Sequence, residues 1–384
     1  MKDFLHAFFI LTERNAELIQ VIRNILQEEI VFAVSALLAA VTSLFVTPSI
    51  KAVDLKVIFS LFNLMLISVA FEEYGLLDGI AVNILGRVRS ERRIGLVMIF
   101  TTAGLGMLMT NDVALLTVVP VTIAMAKKAG FDPIKVIVLE TAAANIGSSF
   151  TPFGNPQNLY LYNFFRMNTR EFFAVISPFV AAGMLALLFV NLGNSTESMN
   201  IELEAAHLRH KRRMMYYGGL FILVILSVLR VTDYRIITAA VVVSAMALDR
   251  RLIKRVDYYL LGTFVSFFIF VDNVTRLSAV NILARSILDS PLRVFGISAL
   301  LSQVISNVPA AILVSGFTPL YKEVLLGVSV GGIGTLVASL ANLISYKIYS
   351  RSYAGKQYRR SFHRLNAALF VFLSAFVILY SQAK

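Results

Sequence analysis

The chain has 384 residues, of which 58% are hydrophobic and only 15% are charged. Soluble domains carry about a quarter charged residues. This composition, with a mean hydropathy of +0.76, therefore excludes an ordinary soluble protein and predicts an all-α polytopic membrane protein. The net charge of +12 does not indicate a nucleic-acid partner, because the Lys and Arg residues lie in short segments between apolar runs. The sequence has no cysteine, which excludes disulfides and thiolate metal sites.

The predicted elements begin with residues 1–28, an amphipathic segment expected to lie on the membrane surface, with a mobile leader as the alternative. The first repeat, residues 29–191, contains three spans, one re-entrant hairpin and one helix broken near its middle. In chain order these are predicted at 30–47, 53–73, 94–109 with 113–126 (the hairpin), 134–147 with 156–166 (the broken helix) and 172–191.

A cytoplasmic linker and a single connecting helix occupy residues 192–233, and the second repeat, 234–384, has the same elements as the first. They are predicted at 234–249, 257–275, 294–305 with 309–320 (the hairpin), 323–334 with 339–349 (the broken helix) and 363–382.

Basic segments set the predicted topology, because loops rich in Lys and Arg stay in the cytoplasm. Four crossings in the first repeat return the chain to that side, and the connecting helix at 215–230 then inverts the second repeat. The protein is predicted to lie in the cytoplasmic (inner) membrane, with its N-terminus on the inside (cytoplasmic) face and its C-terminus on the outside face. The basic segments lie within 87–93, 127–135, 207–213, 250–255 and 347–364.

Two similar polar islands interrupt the two halves. Each hairpin tip reads hydroxyl-Asn-x-x-Ala, at Thr110 to Ala114 and at Ser306 to Ala310, and each broken helix ends its Gly-rich interruption in Asn-Leu. Polar, irregular backbone at membrane depth is tolerated only where it lines a cavity or is buried in protein. Broken helices at matching places in two halves predict the central site of a secondary transporter.

The site is expected to bind through hydroxyls, amides, freed carbonyls and the N–H groups of helix starts, since no Lys or Arg lies within 94–126, 136–165, 294–320 or 324–346. Helix capping is the alternative for the tip asparagines, and a simple kink is the alternative for the breaks. The predicted substrate- or ion-binding residues are Thr110, Asn111, Asp112, Asn145, Gly147, Ser148, Thr151, Gly154, Asn155, Asn158, Ser306, Asn307, Gly331, Gly334, Thr335 and Asn342.

Three acids are candidates for coupling transport to a cation, namely Asp112, Glu140 and Asp272. Asp112 has helix capping as its alternative, and Glu140 and Asp272 equally fit structural acids paired with a neighbouring helix. No resident metal or cofactor is expected, and Na⁺ or H⁺ serves as the coupling ion.

At these motifs the sequence resembles the ion transporter superfamily, which contains divalent anion:sodium symporters (dicarboxylate and citrate carriers), arsenite efflux permeases and a branch of sodium/proton antiporters. The resemblance implies two inverted repeats, a scaffold domain that forms a homodimer, and a transport domain that moves as an elevator. The dicarboxylate carriers have Ser-Asn-Thr at each tip, whereas the third tip position here is Asp112 or Val308. That departure leans toward the arsenite and antiporter branches. The likeness is carried by Thr110 to Leu115, Asn145 to Asn158, Ser306 to Ala310 and Gly331 to Asn342.

The predicted function is a secondary active transporter that moves a small anion, carboxylate-like or inorganic, across the bilayer with Na⁺ or H⁺. A Na⁺/H⁺ antiporter and an arsenite-type efflux permease remain alternatives, as does a channel. An intramembrane enzyme would need a nucleophile with a base at depth. The sequence offers no cysteine, and no histidine within a predicted span except His363 at the first residue of the last one. The expected partners are the substrate anion, the lipid bilayer and a second copy of the chain.

Overall fold

The computed structural model describes residues 29–75, 90–196 and 210–383, and within these ranges the chain folds into 17 α-helices and one short 3₁₀ helix. The predicted amphipathic segment at 1–28 and the middle of the predicted linker, 197–209, lie outside the described residues. The helices of the first half are α1 (Ile30–Ser43), α2 (Leu55–Glu73), α3 (Glu91–Leu108), α4 (Asn111–Ala129), α5 (Ile134–Ser148), α6 (Pro156–Phe164) and α7 (Thr169–Asn191).

The remaining helices begin with the predicted connecting helix. They are α8 (Lys211–Val228), α9 (Tyr234–Leu248), α10 (Arg251–Lys254), α11 (Tyr258–Arg276), α12 (Ser278–Ile287), α13 (Pro291–Ile305), α14 (Asn307–Ser315), α15 (Tyr321–Gly331), α16 (Leu340–Ser350) and α17 (Gly355–Gln382).

Several of these helices fit a membrane by length and composition. Four are long and apolar enough to cross a bilayer, and three shorter ones are apolar as well. The predicted all-helical, polytopic membrane class is therefore supported. The four long helices are α2, α7, α11 and α17, and the three shorter ones are α1, α9 and α13.

Both broken helices are interrupted where the sequence predicts. The first stops at Ser148 and resumes at Pro156, which begins α6 because proline needs no N–H bond in the first turn. The second stops at Gly331 and resumes at Leu340. Each hairpin reverses over one or two residues, at 109–110 and at Ser306.

Some predicted bounds were wrong. The second arm of the second hairpin, expected at 309–320, ends at Ser315, because Gly316 and Pro319 do not continue a helix. The last helix begins at Gly355, before the predicted start at residue 363. Helix α12 was not predicted at all; its apolar face is short, and nearly all its residues stay exposed or half-exposed.

Cα packing divides the chain into two compact units that cut across the predicted repeats. One unit contains the segment ending at Asp54 together with Asp257–Asn281, and the other contains Leu55–Val256 and Ile282–Lys384. The repeat boundaries inferred from the sequence do not coincide with these units, and the repeats therefore stay a prediction.

In the smaller unit, α1 packs against α11. Gly262 lies so close to the ring of Phe32 that a Cβ atom there would come within 2.7 Å of Phe32 Cε2. At the other end, the Asn273 amide donates to the hydroxyls of Thr42 (3.2 Å) and Ser43 (3.0 Å). The polar end contacts fix the register of this helix pair.

In the larger unit, each hairpin packs against its own broken helix and also against the distal part of the other one. Helix α3 packs on α5, and α13 packs on α15. Crosswise, α4 packs on α16 and α14 packs on α6. This exchange brings the two polar interruptions into one unit.

A buried apolar cluster supports one of these crosswise contacts. It joins side chains of α4 and α5 to side chains of α16 and α17, and all of its members are at least nine-tenths buried. Its members are Leu115, Val119, Ile123, Ile134, Ile137, Val138, Ala144, Ala341, Tyr349, Tyr358 and Phe362. Because the cluster lies directly beside the helix ends that carry the polar residues, it holds those ends in place.

Candidate functional site

Three asparagines connect the two halves of the chain. The Nδ2 atom of Asn111 donates to Asn145 Oδ1 (3.1 Å) and lies 3.4 Å from Ser339 Oγ, and Asn145 Nδ2 donates to Asn342 Oδ1 (2.8 Å). All three asparagines are at least nine-tenths buried. The side chain of Asn111 therefore contacts the last turn of α5, just before the first break, and the end of the second break at Ser339.

In each broken helix, an asparagine that follows the interruption donates from its side-chain amide to backbone carbonyls of the interruption. Asn158 Nδ2 donates to the carbonyl oxygens of Ser149 (2.9 Å) and Thr151 (3.1 Å). Asn342 Nδ2 donates to those of Gly332 (3.1 Å) and Thr335 (3.0 Å). Buried carbonyls freed from a helix need such partners, so these amides stabilise the unwound backbone.

The equivalence extends to the threonines of the two breaks. Thr151 Oγ1 donates to the carbonyl of Met107 (2.7 Å), and Thr335 Oγ1 donates to that of Gln303 (3.0 Å). Met107 and Gln303 each lie three residues before the hydroxyl residue of their own hairpin tip. Each interruption is thus tied to its own hairpin by the same contact.

Gln303 was not predicted as a site residue. Its side chain donates to the carbonyl of Gly331 (2.6 Å) and accepts from the N–H of Thr335 (2.8 Å). It fills the space beside Gly334, where a Cβ atom would come within 1.9 Å of Gln303 Oε1. The signal that points to it is a lone amide just before a hairpin tip in an apolar helix.

The second tip has a strained backbone. Ser306 adopts φ 74° and ψ 154° while 95% of its surface is buried, a conformation that is essentially restricted to glycine. The N–H of Asn307 donates to the carbonyl of Ala338 (2.9 Å), and Ser306 Oγ lies 3.4 Å from the same oxygen. Strain of about 1–3 kcal/mol persists only where the surroundings fix it, and it is concentrated at functional sites.

The remaining predicted residues of the first interruption lie together in it. Asn155 caps α6 by accepting from the N–H of Asn158 (2.9 Å), and its Nδ2 atom lies 3.3 Å from Ser148 Oγ. At Gly154 a Cβ atom would come within 2.2 Å of the Ser148 carbonyl oxygen. At Gly147 it would come within 2.5 Å of Ala103 Cα, and at Gly331 within 2.5 Å of Ser302 Cβ. These glycines permit close approach of backbone to backbone or side chain.

Helix N-termini supply the positive potential of the site. Helices α4, α14 and α16 begin at Asn111, Asn307 and Leu340, and the hydrogen bonds to Ala338 and Ser339 bring these starts together. Each helix start carries a partial positive charge and unsatisfied N–H groups. An anion is the ligand that such an arrangement favours.

The three candidate coupling acids have different surroundings. Asp112 is half-buried in the first turn of α4, at the positive end of the helix dipole. Glu140 is fully buried in α5 and accepts a hydrogen bond from Thr122. Asp272 belongs to the smaller compact unit and pairs with Arg276 on its own helix. The partner of Asp272 thus lies on its own helix and not on the neighbouring helix that the structural alternative expected.

A metal cluster is not found in the part of the chain that the structure describes. Among residues 29–75, 90–196 and 210–383, no group of three or more His, Asp or Glu side chains could hold a metal ion. The oxygen atoms of the site come from amides, hydroxyls, the backbone and the carboxyl group of Asp112.

Comparison with known proteins decides the family. Residues 9–321 match the family model described as citrate transporter, which covers most of the chain. The chain belongs to the citrate transporter family. The resemblance to the ion transporter superfamily that the hairpin tips and breaks predict is thereby confirmed, and the chain is a membrane transporter.

Relatives of this family member extend over most of its length. An uncharacterised transporter of Methanocaldococcus jannaschii, MJ0456, is 36% identical over 300 residues, which cover 77% of this chain and 81% of that protein. The inner membrane protein YbiR of Escherichia coli is 33% identical over 300 residues, which cover 77% and 80%.

Among solved structures, the fold is similar to that of the YdaH transporter of Alcanivorax borkumensis. The TM-score is 0.52 with 14% sequence identity, and the match covers 86% of this chain and 85% of that one. At this identity the likeness concerns the fold alone.

Proposed function

We propose that this citrate transporter family member is a secondary active transporter that moves a small anion, carboxylate-like or inorganic, across the cytoplasmic membrane by an elevator mechanism coupled to Na⁺ or H⁺. The observation that carries the proposal is that Asn111 contacts Asn145, just before the first break, and Ser339, at the end of the second, which joins buried polar groups of the two halves. The residues proposed to bind are those predicted from the tips and breaks.

The chemistry of the site favours a small anion. Three helix starts meet at Ala338–Ser339, and the surrounding helix segments contain no Lys or Arg. Helix dipoles and N–H groups attract negative charge without supplying a full counter-charge. A small or partly protonated anion, or an anion that binds with a cation, fits this balance better than a fully charged tricarboxylate.

The proposed inverted repeat rests on recurring contacts. Asn158 and Asn342 make corresponding hydrogen bonds in their own halves, and so do Thr151 and Thr335. Inverted repeats with central broken helices are the architecture in which one half rocks or slides to expose a midplane site alternately. The elevator motion and the homodimer formed by the scaffold domain follow from the resemblance and belong to this proposal. The orientation with the N-terminus on the cytoplasmic side of the inner membrane belongs to it as well.

The proposal is tested by uptake into liposomes that contain the purified protein. Labelled citrate, succinate, phosphate and arsenite are supplied separately, each with an inward Na⁺ gradient, an inward H⁺ gradient or neither. Saturable uptake of at least one anion that requires one of the gradients is the expected result. If none of the four anions is taken up faster than into protein-free liposomes under any gradient, anion transport is contradicted.

A Na⁺/H⁺ antiporter is the second candidate, because Asp112 places a carboxyl group in the first turn at a hairpin tip. A pH-sensitive dye inside the same liposomes distinguishes the two functions. Internal pH that changes on addition of Na⁺ without any anion favours the antiporter, and Asp112→Asn should then remove the change. The arsenite arm of the uptake assay addresses the efflux-permease alternative.

A further inference from the structure

Glu140 is a buried acid that the anion site itself does not use. Its side chain is completely buried within α5. One carboxyl oxygen accepts a hydrogen bond from the Thr122 hydroxyl, and the other, Oε2, has no hydrogen-bond partner among the described residues. A carboxylate with a single neutral donor is strongly disfavoured in a completely buried place, whereas the protonated acid is not.

The charged groups around Glu140 do not change this conclusion. Helix α5 packs against α3, α4, α7, α16 and α17. The titratable group that faces Glu140 electrostatically is Tyr358, which is itself buried and brings no positive charge. No described Lys, Arg or His forms an ion pair with Glu140 or exerts an electrostatic effect on it. The charged or titratable residues of the five packing helices, apart from tyrosines, are Glu91, Arg92, Arg93, Asp112, Lys127, Lys128, Arg170, Glu171, Lys347, Lys356, Arg359, Arg360, His363 and Arg364.

The fold does not require an acid at this place. Asn145 and Asn158 have the same separation in sequence as Ser329 and Asn342, so position 140 in the first half corresponds to position 324 in the second. Val324 occupies that equivalent position and is also completely buried. An apolar side chain thus serves the packing role in one half, and the carboxyl group in the other half needs a different explanation.

Glu140 is linked mechanically to the anion site. Helices α4 and α5 are joined by two polar contacts, Asn111 with Asn145 at the tip and Thr122 with Glu140 further along. A shift of α4 that follows binding at the tip therefore also moves the Thr122 hydroxyl that donates to Glu140. Losing or gaining that donor, together with entry of water, changes the relative stability of the acid and its carboxylate.

We propose that Glu140 is the proton-binding site of the transport cycle, and that Thr122 positions its carboxyl group. In the conformation described here Glu140 is a neutral acid; when α4 moves and water enters, the O–H bond breaks, the proton passes to water and the carboxylate remains on the chain. This inference rests on the proposed secondary transport and names its coupling ion and the residue that carries it.

Infrared spectroscopy of the full chain in liposomes tests the protonation state without any substrate. At neutral pH the wild type should show the carbonyl band of a buried carboxylic acid. This band should persist when the pH outside the liposomes is changed. Glu140→Gln should lose this band while keeping the acceptor for Thr122, and Thr122→Val should shift it. The matched control Asp289→Asn, which changes an exposed acid paired with Arg293, should leave it unchanged. A missing wild-type band, or a band that persists in Glu140→Gln, overturns the proposal.

Uptake separates failure of this inference from failure of anion transport. With the anion that wild-type liposomes accumulate, Glu140→Gln should lose the acceleration by an inward proton gradient but retain exchange of labelled for unlabelled anion. If the variant keeps the full gradient response, transport stands and Glu140 is not the proton carrier. If the wild type accumulates none of the four anions, the infrared result alone decides the protonation state, and a missing band still contradicts the proposal.

Discussion

Asn145→Ala is expected to abolish anion uptake and to destabilise the folded protein more than any other single truncation in the site. The alanine removes the acceptor of Asn111 and the donor to Asn342, which leaves two buried amides incompletely paired. Each buried polar group left without its partner costs about 1–3 kcal/mol. Uptake into liposomes and the thermal unfolding midpoint of the purified protein measure the two effects.

A matched control for this change is Asn366→Ala in α17. Asn366 is equally buried, but its amide bonds only the carbonyl of Phe362 one turn earlier. Its removal should leave uptake intact and shift the midpoint only slightly. Equal effects of the two substitutions, or normal uptake by Asn145→Ala, would show that the contacts of Asn145 between the halves have no special role.

Gly147→Ala is expected to have the second-largest effect, because the space for a methyl group is occupied by backbone. The new Cβ atom would come within 2.5 Å of Ala103 Cα and 2.6 Å of the Ala103 carbonyl oxygen. Neither atom can turn aside as a flexible side chain could, so α3 and α5 must separate. Overpacking of this kind costs about 1–3 kcal/mol, and the separation displaces Asn145 on the neighbouring turn.

Gly104 provides the control on the facing helix. A Cβ atom added at Gly104 would have no heavy atom within 4 Å, apart from its chain neighbours and the nearby backbone of its own helix. Alanine stabilises a helix interior by up to about 1 kcal/mol relative to glycine. Gly104→Ala should therefore be neutral or slightly stabilising. The midpoints of the two variants in detergent make the comparison, and a Gly147→Ala protein as stable and active as Gly104→Ala would refute the close packing of α3 on α5.

Much of the local structure could be predicted because breaks and caps have local chemical causes. Pro156 and the glycines before it indicate an interruption that the structure places between Ser148 and Pro156. The hydroxyl-Asn tips likewise predicted reversals within one or two residues of their positions. Helix periodicity carried less information, since helices surrounded by protein and lipid have no clear polar face.

The crosswise packing could not be predicted from local sequence. That α4 would pack on α16, and that Asn111 would meet Ser339, depends on contacts between residues far apart in the chain. Ser339 and Gln303 are absent from the predicted site residues for the same reason, because the sequence does not show which distant residues their side chains would meet. Asp272 was included because an acid within a span is costly, and its partner Arg276 one turn later satisfies that cost locally.

Cysteine cross-linking tests most directly whether the interruptions of both halves form one site. The chain has no native cysteine, so Asn111→Cys with Ser339→Cys introduces the only thiols. Asn111 Nδ2 and Ser339 Oγ lie 3.4 Å apart, so thiols introduced at these two positions come close to each other. A protease site inserted within 197–209 allows the halves to be separated unless they are linked.

After mild oxidation in membranes and cleavage, the double variant should run as one linked band that a reductant resolves into two. The control pair Gly104→Cys with Ser339→Cys should not link, because no heavy atom of residue 339 lies within 4 Å of a Cβ at Gly104. Two separate bands from the Asn111–Ser339 pair, with its thiols shown to react with a small permeant reagent, would contradict a shared site and with it the proposed transport mechanism.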